Sequence, residues 1–144
     1  MAISQAMCTS FKQELMVGTH NFTITTGDVF KIALYTSSAS LDATTTTYSG
    51  TNEVANGSGY TTGGFTLTNV TPTTSSTTAF TDFSVDPNWT TASFTARGAL
   101  IYNSSKSNKA VAVLDFGSDK TVSSGTFTIV LPTADASNAI LRLA

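Results

Sequence analysis

At 144 residues the chain is long enough to bury a core as one domain, and 40% hydrophobic with 11% charged residues is the reverse of the balance that disorder requires. The formal charge is only -2 and the seven basic residues are scattered, only Lys106 and Lys109 lying close together, so the basic stripe of a nucleic-acid binder is missing. Thr and Ser make up roughly a third of the chain, a composition that suits half-exposed strand faces and polar contact with other protein better than solitary life in solution.

The N-terminus lacks a basic region followed by an apolar run, so no signal peptide is expected. Residues 4–17 read as a helix: Met7, Cys8, Phe11, Leu15 and Met16 recur at three- and four-residue spacing, Ser4 can cap the start and Gly18 can end it. That stripe either closes one end of the fold or docks on a neighbouring subunit, which makes Met7 and Phe11 candidate interaction residues. Cys8, the one cysteine, cannot form an intrachain disulfide and reads as a small buried hydrophobe.

Asn21 to Thr25 reads as a short strand and Val29 to Tyr35 as a firm one, with Phe30, Ile32 and Leu34 facing one way. Residues 36–64 form a long polar excursion around four consecutive threonines, either a surface strand or an extended arm. Tyr48, Val54 and Tyr60 suggest that it packs back at intervals. Phe65 to Val70 and Thr78 to Val85 read as strands separated by a turn around Pro72, and Asp86-Pro87-Asn88 makes a strong turn. Trp89 follows it as a corner of the core or as a ligand platform, the first being the commoner role.

Thr95 to Tyr102 and Ala110 to Gly117, joined by a polar turn, form the hairpin at the centre of the fold. Val111 and Val113 alternate with Ala112, Leu114 and Phe116, so the second strand is apolar on both faces and must lie inside the molecule. A bend around Asp119-Lys120 and Ser123 to Gly125 leads to a strand from Thr126 to Leu131, and Ala139 to Leu143 makes a last one. The expected fold is therefore all-β: a single-domain β-sandwich or barrel, jelly-roll-like, of about eight to ten strands with one N-terminal α-helix. No apolar run is long enough to span a membrane as a helix.

Catalytic chemistry finds little purchase in this chain. His20 is the one histidine, no Gly-x-Ser-x-Gly elbow occurs, and one cysteine with one histidine cannot easily furnish a zinc site. The glycines from Gly57 to Gly64 lack dinucleotide-fingerprint spacing and read as tight turns. Asp115 is the carboxylate best placed for a special role, although bonding turn backbone or pairing with Arg97 explains it as well. The expectation is a protein with no catalytic, cofactor-binding or metal residues; His20 meeting two acidic side chains in a water-excluding pocket would contradict it.

The segments Phe30 to Ser38, Thr51 to Val54, Gly59 to Gly64, Thr95 to Tyr102, Asp115 to Lys120 and Gly125 to Ile129, with Trp89, resemble a family of small structural proteins of tailed bacteriophages. The resemblance covers most of the chain from Phe30 onward. It implies a virion component assembled in the host cytoplasm, with the major capsid protein or tail proteins as partners; the low charge and the apolar helix stripe add the expectation of a homo-oligomer or a lattice-bound protein, and the missing basic stripe and membrane-length run that of no nucleic acid and no membrane. A capsid decoration (cement) protein is the first expectation, and a tail, baseplate or fibre component reaching the host through residues 36–64 the second. A carbohydrate-binding module stacking sugars on Trp89, Tyr48 and Tyr60 is the expectation from outside that class.

Overall fold

A computed structural model describes residues 2–144. Among them run β1 (Ala6–Met7), α1 (Thr9–Met16), β2 (Phe30–Tyr35), β3 (Phe65–Thr66), β4 (Thr73–Ser75), β5 (Thr78–Thr81), β6 (Asn88–Asn103), β7 (Lys109–Thr128) and β8 (Leu141–Leu143). They form two antiparallel sheets, ordered β1-β7-β6-β2-β3 and β4-β5-β8. The fold is an all-β sandwich with one helix; the larger sheet stays open, so the barrel alternative does not hold.

The hairpin β6–β7 is the centre, as its two-faced apolarity requires. Ile101 opposes both Ile32 on β2 and Ala112 on β7, while Leu100 opposes Ala33 and Val113 on the other face. Ala110 to Val113 are all buried. On the first face Phe30 stacks on Phe22 at 4.3 Å and meets Phe83 at 5.9 Å. On the second, residues 36–64 lie across the sheet: Tyr48 stacks on Tyr102 at 4.5 Å, and the Tyr35 hydroxyl donates to the Ser49 carbonyl at 2.6 Å.

Several elements differ from the sequence expectation, each for a stated reason. The helix is eight residues, not the whole of 4–17, because sheet hydrogen bonds claim the chain first. Ser4 N–H donates to Leu41 O, Ala6 and Met7 pair with Val113 and Ala112, and Cys8 N–H donates to Val111 O at 3.0 Å. Ser4 is thus no cap. The C-terminal end falls where expected: Gly18, at φ 72°, donates to Leu15 O and Thr19 donates to Glu14 O, a Schellman pair.

Asn21 to Thr25 is a closed loop and not a strand. Asp28 N–H donates to Asn21 O at 2.7 Å and Asn21 N–H returns a bond to the Asp28 carboxylate at 2.9 Å. The expected strand from Phe65 to Val70 shrinks to β3, and part of the turn around Pro72 becomes β4. The four threonines are neither an arm nor a full strand: Thr46 O accepts from Ala110 N–H, and Thr47 bridges Lys109.

The expected bend after Gly117 and the first half of the strand expected from Thr126 to Leu131 are one strand with β7, which ends at Thr128 and leaves Ile129 to Leu131 outside any strand. Its polar residues are absorbed by bulges. Ala96 opposes Lys120 and Gly98 opposes Asp115, so Phe116 to Asp119 bulge out against Arg97 alone, with Gly117 at φ 77°. Ser123 and Ser124 likewise face Ser93, whose hydroxyl accepts from Ser124 N–H. Beyond these bulges β6 and β7 continue as a two-stranded ribbon, threonine-rich on its open face.

Candidate functional site

His20 has more company than the sequence suggested. Its side chain is fully buried, packed against Phe11 at 4.9 Å and near Phe22 and Phe30. Asn103 Nδ2 donates both to His20 Nδ1 at 2.9 Å and to the Asp28 carboxylate at 2.8 Å, while Asn103 Oδ1 accepts from Ser105 N–H. Nδ1 is therefore an acceptor, and Nε2–H donates to Glu14 at 2.7 Å. Lys109 Nζ reaches the other Glu14 oxygen at 2.9 Å. Burial raises the Glu14 carboxyl, but the hydrogen bonds from Lys109 and His20 outweigh it and hold the group below its usual value. His20 thus meets one carboxylate directly and a second through Asn103. Aromatic rings fill the space around it, and both ring nitrogens are engaged, so the cluster ties α1, the following loop and the β6–β7 turn together.

A second polar cluster anchors residues 36–64. The Glu53 carboxylate accepts from the hydroxyls of Tyr48 and Tyr60 and from Gly63 N–H, at 2.6 to 2.7 Å. The Tyr60 hydroxyl oxygen in turn accepts from Leu34 N–H at 2.9 Å. Burial, with the Glu53 charge beside it, pushes all four tyrosines up, Tyr102 to about 12. Asp115 does both things expected of a turn carboxylate: it accepts from Gly117 N–H at 2.9 Å and lies 3.7 Å from Arg97. Among the described residues no three His, Cys, Asp or Glu side chains gather as metal ligands would. Cys8 is completely buried, and burial pushes its thiol up to about 11.

Of the five candidate interaction residues, Phe11, Tyr60 and Trp89 lie in the core, at 0%, 2% and 6% exposure. They cannot serve as contact or sugar-stacking platforms, because their faces are taken by His20, Phe94 and Phe127. Tyr48 is half-buried against Tyr102. Met7, also half-buried, lines an apolar surface open to solvent, and that surface is the candidate site.

Four clefts join into one apolar seam. The largest, about 600 Å³, lies between β7 and residues 129–141 and is lined by Leu114, Phe116, Ile129, Leu131 and Ile140. Through Phe116 and Ile129 it continues into a cleft of about 500 Å³ along the ribbon. Through Met7 and Leu141 it continues into a narrow one of about 130 Å³ over Phe11 and Phe80. That in turn meets a fourth, about 470 Å³, bounded by Leu15, Met16 and Leu143. Met16, Leu143 and Val130 stand 82%, 59% and 78% exposed along it. Met7 was legible as part of an apolar helical stripe. The rest of the seam was missed because Leu114, Phe116, Ile129 and Leu131 carry the ordinary alternation of core-facing strands, and nothing local says that one face stays uncovered.

An uncovered apolar surface is the kind of feature on which a binding partner can seat. Comparison with known proteins found no matching family model, no matching curated protein and no matching solved structure.

Proposed function

We propose that this protein is a non-enzymatic structural component of a tailed-phage particle, in first place a decoration protein that seats on the outer shell and ties its subunits together. The apolar seam carries the reading, since the largest apolar patch on a protein surface is often the place where another protein binds. The sequence resemblance from Phe30 onward supplies the particle, and the charge-poor, threonine-rich ribbon supports repeated weak contacts multiplied by symmetry. The anchoring of residues 36–64 by Glu53 speaks for a fixed surface over a reaching arm, which ranks the tail or fibre reading second.

Copy number tests the proposal. In purified particles, a decoration protein should stain in a gel at a level approaching the major capsid protein. A band at the few-copy level would move the protein to the tail. Its absence from particles, with no binding to empty shells, would end the proposal.

A further inference from the structure

The charges along the seam are one-sided. Lys12 and Arg142 line its helix end and Lys120 its ribbon end. Among the described residues none of the three has a carboxylate within 4.0 Å, whereas Arg97, Lys106 and Lys109 are all ion-paired. Lys120 donates only to the Ser118 hydroxyl and Arg142 to the Ser137 carbonyl. The one carboxylate lining the seam is Asp115, already held by Arg97 and by Gly117 N–H. An acidic protein thus keeps three of its unpaired cations on its most apolar surface.

The backbone there is unpartnered as well. β1 covers β7 only at Ala112 and Val113. Two residues further on, Asp115 N–H is met by the side-chain oxygen of Gln5 at 3.3 Å, where a neighbouring strand would offer a carbonyl. An edge backbone beside an apolar groove is the setting in which an extended peptide adds as a strand.

We propose that the seam takes an extended, apolar segment of another protein, carrying acidic residues at its two ends to meet Lys12 and Arg142 on one side and Lys120 on the other. A second copy of this chain fits less well. Two seams laid face to face would bring the same three cations together, with Asp115 held by Arg97 and Gly117 N–H and only Asp135, near Arg142, left to answer them, and like charges across an interface are costly. The inference deepens the docking reading above and is tested on the isolated protein, so its failure leaves the copy-number test standing.

The probe is a short capped peptide alternating valine and threonine with paired glutamates at each end, set against the same peptide with lysines in their place. Binding to isotope-labelled protein should shift the amides of Gln5 and Leu114 to Phe116. The glutamate peptide should bind at least about tenfold more tightly, a gap that closes as NaCl rises from about 50 to about 500 mM. Lys12→Glu with Lys120→Glu, both exposed positions, should reverse the preference with thermal melting unchanged. Equal binding of both peptides, binding of neither, or shifts away from the seam would overturn the proposal. So would sedimentation showing that the free protein already covers the seam by dimerising through it.

Discussion

Glu53 and Glu14 show how single carboxylates hold long stretches of this chain in place. Glu53 accepts three hydrogen bonds from residues 48, 60 and 63, so Glu53→Gln removes the charge that strengthens all three and replaces the oxygen that accepts from Tyr48 with a nitrogen that cannot accept. The expected loss is about 1–3 kcal/mol, read as a melting point lower by several degrees and as new protease cleavage confined to residues 36–64. Glu14 adds a pH signature. Its folded value is lowered, so its contribution is present above the ordinary carboxyl range and fades as pH falls through that range toward the folded value. Glu14→Gln should cost stability at neutral pH and flatten the stability profile on the acid side, as followed by denaturant melts across pH. The tyrosines carry the opposite sign. Their raised values give a contribution that is complete below about pH 10 and is lost as pH climbs through the folded values. An ultraviolet titration should therefore show phenolate appearing together with unfolding; free ionisation of four ordinary phenols before unfolding would contradict the Glu53 cluster. None of this was readable beforehand. Glu53, Tyr48 and Tyr60 are close in sequence, but only folding turns their three polar ends toward one point.

At the scale of elements, legibility followed how local the deciding interaction was. Phe30 to Tyr35 and the facing parts of β6 and β7 were visible because alternation and two-faced apolarity are properties of the strand itself. The helix start was not, because Ala6 and Met7 satisfy a helical period and a strand edge equally well, and a partner more than a hundred residues away chose between them. The break expected after Gly117 failed for a related reason: Ser, Gly, Asp and Lys signal a turn, yet paired with β6 they make a bulge. Glycines divide in the same way. Gly64 sits at φ 82°, where an added Cβ would overlap the Ile32 carbonyl; Gly117 at φ 77° faces open space. Gly64→Ala should therefore cost clearly more than the roughly 1 kcal/mol expected of Gly117→Ala, measured side by side in urea. Equal costs would mean that β3 does not lie against β2 as described.

For the molecule as a whole, depth of cover varies along one hairpin. From Gly98 to Asn103, β6 lies between β2 and β7 with both faces buried, whereas from Asn88 to Ala96 it pairs with β7 alone. Tyr60 and Trp89 pack one side of that outer stretch, and Gly59 approaches Ala92 so closely that a Cβ there would lie 2.7 Å from its α-carbon. The opposite strand, from Gly117 to Thr128, is mostly exposed. A two-stranded ribbon with one dressed face is held far less firmly than a strand inside a sheet. Hydrogen exchange should accordingly show slow amides in Leu100 to Asn103 and Ala110 to Val113, opening only with global unfolding. Amides of Thr121 to Thr128 should exchange by a separate, cheaper opening that leaves the core protected. Uniform protection along β7 would show that the ribbon is as firmly built as the core. The gradient matters for docking because the pliable half of β7 includes Phe127 and borders Phe116 and Ile129. For the docking proposed above, this places the ribbon end of the seam where the ladder can adjust without disturbing the sheet beneath it.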